Sequence, residues 1–153
     1  YIYGSAEVIG LLCVQVFLAE EAVCAADRAA MDRGARYLGS AFQKINFLRD
    51  LGEDSSVLGR AYFPQAAGGA LSEAAKSALI AEIRRELTAA EEAINLLPLS
   101  ARVGVRAAAD IFAELTNRLA ATPAAELKTT RISVPNRTKA WLAARAVRRR
   151  AVR

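Results

Sequence analysis

The sequence predicts an all-α protein. Ala, Leu and Arg dominate a chain of 153 residues that is 54% hydrophobic, and β-branched residues do not gather into alternating runs. Apolar residues recur instead every three or four positions through most of the chain, the period of a helix with one packed face. At this length, one domain with a real core fits and two do not fit comfortably.

The composition also removes several kinds of chemistry. There is no His, which excludes His-based triads, His-ligated zinc and imidazole general bases. Cys13 and Cys24 are too few for a disulfide scaffold and read as reduced thiols of a cytoplasmic protein. Residues 137–153 hold seven of the 21 cations and none of the 16 acids, so taking seven from the net charge of +5 leaves the rest at −2. A body of that sign is a poor footprint for a phosphate backbone, and no nucleic-acid partner is expected.

In chain order, Val8 to Ala19 is an apolar run broken only by Gly10 and Gln15. It is shorter than the roughly 20 residues of a membrane span and no cationic segment precedes it, so it reads as a buried core helix. Asp27 or Asp32 is a candidate cap for the next helix, expected over 31–54 and followed by a loop marked by Gly52, Ser55, Ser56 and Gly59. Ser72 is the expected N-cap of a helix over 72–97. That helix sets Leu79, Ile80, Ile83, Leu87, Ala90 and Ile94 on one side and a solvated face with Glu82, Arg84, Arg85, Glu86, Glu91 and Glu92 on the other. Pro98 opens a further helix that Thr122-Pro123 stops. A basic helix from about Thr138 closes the chain.

The chemistry is concentrated on the second of these helices. At about 100° per residue, Asn46, Gly39, Asp50, Gln43 and Asp54 fall within one arc of about 80°. Tyr37, Leu38, Ala41, Phe42, Ile45, Phe47, Leu48 and Leu51 cover the rest, interrupted mainly by Lys44 and Arg49. Unpaired carboxylates are costly to bury, so so narrow a stripe on so apolar a helix should face cations or a water-filled cavity. Asp50 and Asp54, one turn apart, suit a hard cation such as Mg²⁺, and Asn46 supplies a neutral oxygen of the same hardness. By spacing alone, a solvated helix end is an equal reading.

The surrounding residues decide between the two. Gln43-x-x-Asn46-x-x-Arg49-Asp50-x-x-Glu53-Asp54, with Gly59-Arg60-x-Tyr62-Phe63-Pro64, resembles the second aspartate-rich motif of the phytoene and squalene synthase family. Arg131-Ile132-Ser133-Val134-Pro135 resembles a segment that phytoene synthases carry before their last helix, although the Tyr-Asp pair usual upstream of it is missing. The Tyr1-x-Tyr3-x-x-Ala6-x-x-x-Gly10 pattern resembles the helix before the motif, with Glu7 where a small residue is common.

The resemblance implies an all-α isoprenoid-synthase helical fold. Residues 1–136 are expected to form the C-terminal part of the synthase domain, and 137–153 a basic helix or tail. It implies Mg²⁺ held by Asn46, Asp50 and Asp54. Arg49, Arg60 and Gln43 would contact the diphosphate of a prenyl diphosphate substrate, and Tyr1 would line the active site. The implied activity is head-to-head condensation of two geranylgeranyl diphosphates to phytoene. Squalene synthesis from farnesyl diphosphate with NADPH is the first alternative, and a catalytically silent helical scaffold the second. The family's first Asp-x-x-x-Asp motif has no counterpart here, so the chain is expected to be a piece of the enzyme, inactive alone. Phe42, Phe47 and Tyr3 are candidates to face a carbocation, with core packing the favoured role. The basic tail, with Trp141, Leu142 and Val147 among its arginines, reads equally as a helix at the anionic inner face of a membrane or as a solvated, disordered tail.

Overall fold

A computed structural model describes residues 6–51 and 71–150. Tyr1, Tyr3, Asp54 and Arg60 therefore lie outside the described residues. Five helices and no strand are found among those described: α1 (Val8–Phe17), α2 (Ala25–Arg49), α3 (Glu73–Leu96), α4 (Leu99–Ala121) and α5 (Asn136–Arg150). None is long and apolar enough to cross a membrane.

Local signals account for the helix ends. Ser72 caps α3, its Oγ accepting from the Ala75 N–H at 3.1 Å, and Glu73 follows in the first turn where the helix dipole favours an acid. Helix α2 begins earlier than its apolar period suggests, because Ala25-Ala26-Asp27-Arg28-Ala29-Ala30 is strong helix-forming sequence. Its cap is Cys24, whose Sγ accepts from the Asp27 N–H, rather than an aspartate. At the other end α2 stops at Arg49, with Asp50 as its C-cap, so the expected run to residue 54 is not continued through Leu51. Pro98 is the N-cap of α4 and Thr122 its C-cap.

Neighbouring helices run antiparallel. Gly10 meets Ala35 across α1 and α2, Lys44 meets Glu82 across α2 and α3, Arg84 meets Asn117 across α3 and α4, and Arg145 meets Asp110 across α4 and α5. The larger core gathers Ile45 and Leu48 of α2, Ile80 and Ile83 of α3, and Leu115 and Leu119 of α4. A smaller cluster joins Val14, Leu18, Met31 and Leu97. The segment after α4 returns across the end of the bundle. Lys76 donates to the Thr122 carbonyl, the Ala124 N–H donates to Glu73, and Leu127 and Val134 are buried in the larger core. Arg131, between those two anchors, is thereby carried to the end of α2.

Two sequence expectations need correction. Helix α1 is not wrapped on all sides: Val14 is buried, but Ile9, Leu12 and Val16 are each more than half exposed. Its apolar run recorded the absence of charge, not the number of neighbours. The acids of α3 are likewise not all on a solvated face. Glu82 and Glu86 turn toward α2 and hold the buried Lys44 ammonium at 2.6 and 2.5 Å, while the Ser40 hydroxyl donates to Glu86 at 3.0 Å.

Candidate active site along the second helix

Helix α2 passes from an apolar environment to a charged one. Its first half borders a cavity of about 320 Å³ enclosed with α1, α3 and α4. Gly10, Val14 and Phe17 line it from α1, Ala90, Ala93 and Ile94 from α3, and Val105 and Ala108 from α4. From α2 come Met31, Gly34, Ala35, Leu38, Gly39, Phe42 and Gln43. Among these described residues none is charged. Gly39 is required by close approach, since a Cβ there would run into the Ala6 carbonyl, and at Gly34 it would run into the Ala93 methyl. Such contacts bring backbones together and leave room between the small side chains. Phe42 closes the cavity's edge by stacking on Phe112, ring centroids 3.9 Å apart and planes inclined by 17°. Its packing role thus holds, although one edge also borders the empty volume.

Beyond Gln43 the helix becomes polar over a rise of about 10 Å. The Asn46 side-chain oxygen is buried and accepts no hydrogen bond among the described residues. Buried polar atoms normally find partners, so this oxygen is open to accept from a water, a ligand or a cation. One turn on, the Asp50 N–H donates to the Asn46 backbone carbonyl at 2.9 Å, fixing the two side chains on neighbouring turns. The Asp50 carboxylate is gripped by Arg49, Nε to Oδ1 at 2.9 Å and Nη2 to Oδ2 at 2.6 Å, and approached by Arg131 Nε at 3.3 Å. The Arg49 hydrogen bond chiefly, and then the charges of Arg49 and Arg131, outweigh partial burial and hold this carboxyl below the usual carboxylate range.

Of the residues singled out from sequence, Gln43, Asn46, Arg49 and Asp50 thus lie along one helix face and its end. Gln43 borders the cavity, Asn46 presents a bare oxygen, and Arg49 and Asp50 pair with each other. Asp54, Arg60 and Tyr1 fall outside the described residues. No group of three or more acids or cysteines poised for a metal occurs among those described. The donor chemistry nonetheless fits a hard cation, because Asn46 and Asp50 offer only oxygen and the Asn46 oxygen lacks a partner.

Sequence reasoning missed two parts of this arrangement. Arg131 drew attention as part of a segment, but its contact with Asp50 depends on the return of the chain after α4. Lys44 was read as an interruption of an apolar face. Its one available signal was the pair Glu82 and Glu86, one turn apart on another helix.

Residues 1–71 match the squalene/phytoene synthase family, the stretch that holds α1, α2 and the Asn46–Asp50 end. Those 71 residues, a little under half of the chain, are what it shares with that family. A relative is the bifunctional lycopene cyclase/phytoene synthase of Phycomyces blakesleeanus, 32% identical over a stretch covering 68% of this chain and 20% of that protein. The chain therefore spans about a fifth of that relative's length. No solved structure matches it. Glu7, just before α1, pairs with Arg36 of α2 at 3.9 Å.

Proposed function

We propose that this chain supplies the diphosphate-binding helix and part of the prenyl pocket of a head-to-head prenyltransferase that condenses two geranylgeranyl diphosphates to phytoene. The observation that carries the reading is the succession along α2 of an apolar cavity, the orphaned Asn46 oxygen and Asp50 flanked by arginines. A prenyl diphosphate has the same succession, a long hydrocarbon ending in a concentrated anion.

The roles follow from the side chains. Asn46 and Asp50, with Asp54 beyond the described residues, would hold Mg²⁺, whose charge would offset that of the diphosphate leaving group. Arg49 and Arg60 contact the diphosphate oxygens through forked, charge-assisted hydrogen bonds, and Gln43 donates from the cavity's edge. The small side chains of α1 to α4 admit the hydrocarbon and exclude water, which would otherwise trap an allylic cation. Tyr1 lines the same site.

The test is the hydrocarbon made from geranylgeranyl diphosphate by the enzyme carrying this sequence, with Mg²⁺ and no NADPH. Phytoene is expected, at a rate that NADPH does not change. Asp50→Asn should remove most turnover while leaving helicity intact, since it deletes a charged ligand without changing volume. Product only with NADPH, or only from farnesyl diphosphate, moves the assignment to squalene synthesis. An unimpaired Asp50→Asn enzyme removes Asp50 from the site.

A further inference from the structure

A second recess lies away from α2, where the end of α3, the start of α4 and the end of α5 meet around a volume of about 500 Å³. Arg102 and Arg106, one turn apart on α4, and Arg149 of α5 line it, with Leu99, Val103 and Ala146 as its apolar part. Like charges at that spacing repel by roughly 0.2–0.5 kcal/mol, so this pair is not there to stabilise α4.

Both guanidinium groups are nevertheless tethered. Arg102 Nε donates to the Leu97 carbonyl at 2.9 Å, and Arg106 Nη2 donates to the Asn95 side-chain oxygen at 2.9 Å. Arg106 is engaged further, by the Glu91 carbonyl and carboxylate, whereas among the described residues the two Nη groups of Arg102 have no further partner. The acids offset only part of this charge: Glu91, which also lines the recess, pairs with Arg106 at 3.7 Å with its side chain 64% exposed, and Asp110, 3.9 Å from Arg149, is shared with Arg145 at 2.9 Å.

Three guanidinium groups around a partly apolar recess suit an anionic head joined to hydrocarbon. The helix that supplies Arg149 indicates where such a molecule comes from. On α5, Leu142 and Ala146 face the bundle, while Trp141 and Val147, 58% and 55% exposed, share the outer side with Arg137 and Arg148. An exposed indole among arginines is the composition of a helix resting at a bilayer interface. We propose that the recess bounded by Arg102, Arg106 and Arg149 binds the headgroup phosphate of an anionic phospholipid, docking α5 on the membrane surface. This inference is independent of the α2 site and of any activity there.

The single Trp of the chain, Trp141, lies on the docking helix, so its emission reports binding directly. The full chain is titrated with neutral phosphatidylcholine vesicles and with vesicles containing phosphatidic acid. The variants are Arg102→Gln/Arg149→Gln and, as a control of equal charge, Arg84→Gln/Arg85→Gln on the exposed side of α3. The parent should bind only the anionic vesicles, with a blue shift. The recess variant should lose roughly thirtyfold in affinity, and the control less than about threefold. Equal losses in the two variants would reduce the effect to diffuse charge, and equal binding to both vesicle types would remove the headgroup; either overturns the proposal. Displacement by millimolar sodium phosphate at fixed ionic strength would make this a free-phosphate site and overturn the lipid assignment. Should the double variant melt early, Arg149→Gln alone, at a half-exposed side chain, serves in its place, and parent-like binding by it overturns the proposal.

Discussion

The two halves of α2 are built on opposite rules. From Met31 to Gly39 the side chains facing inward are mostly small, and the helix borders empty space. From Ala41 to Leu48 they are mostly large and fully buried, with Lys44 locked between two acids. One helix thus serves as a pocket wall and then as the beam that carries the polar end. The difference shows where this molecule tolerates change: the second half is under packing constraint, whereas the first is constrained where backbones touch and free where they do not.

Removing Lys44 should have the largest effect. Lys44→Met leaves the mostly buried Glu86 carboxylate without its cation, at a cost of about 3 kcal/mol in chemical denaturation. The double variant Lys44→Met/Glu86→Leu should recover most of that loss. Burial works against the charge, but the hydrogen bonds Lys44 donates to Glu82 and Glu86, with the charges of those carboxylates, outweigh it and raise the Lys44 pKa above its ordinary 10.5. Folding then favours the protonated form. The Lys44 contribution is fully present below pH 10.5 and is lost as pH rises through the raised value. The stability gap between parent and Lys44→Met should therefore narrow only above that pH; a gap that narrows between pH 6 and 9 would assign it to another group.

Next in size is Ile45→Ala, in the filled half. It should cost about 2–3 kcal/mol, because Ile45 is fully buried and its truncation leaves a void in the larger core. Ala108→Leu, on the cavity wall, should cost less than about 1.5 kcal/mol, since the added carbons enter existing volume. Equal costs at the two positions would mean that the halves do not differ in packing.

The features legible in the sequence were those with local causes. Ser72 caps its own helix three residues on, and the Gln43, Asn46 and Asp50 stripe follows from helical period alone. Gly39 also left a trace, as a member of that stripe, but not what it touches. What remained hidden depends on which surfaces meet. The Lys44 clasp requires α3 to run antiparallel beside α2, and the Arg131 contact requires the chain to return beneath both. The exposure of α1 could not be read either, because an apolar run is compatible with one packed face or with several.

The central claim is that the two halves of α2 serve one ligand, hydrocarbon in the cavity and diphosphate at Asn46 and Asp50. Calorimetric affinities for geranylgeranyl diphosphate and for inorganic pyrophosphate, both with Mg²⁺, test it on the parent, Ala108→Leu and Asp50→Asn. Filling the cavity should lower affinity for geranylgeranyl diphosphate by about tenfold and leave pyrophosphate unchanged, a loss matching about two buried methylenes. Asp50→Asn should weaken both ligands. Affinity for geranylgeranyl diphosphate that survives a filled cavity would contradict the account, because cavity and polar end would then belong to different sites.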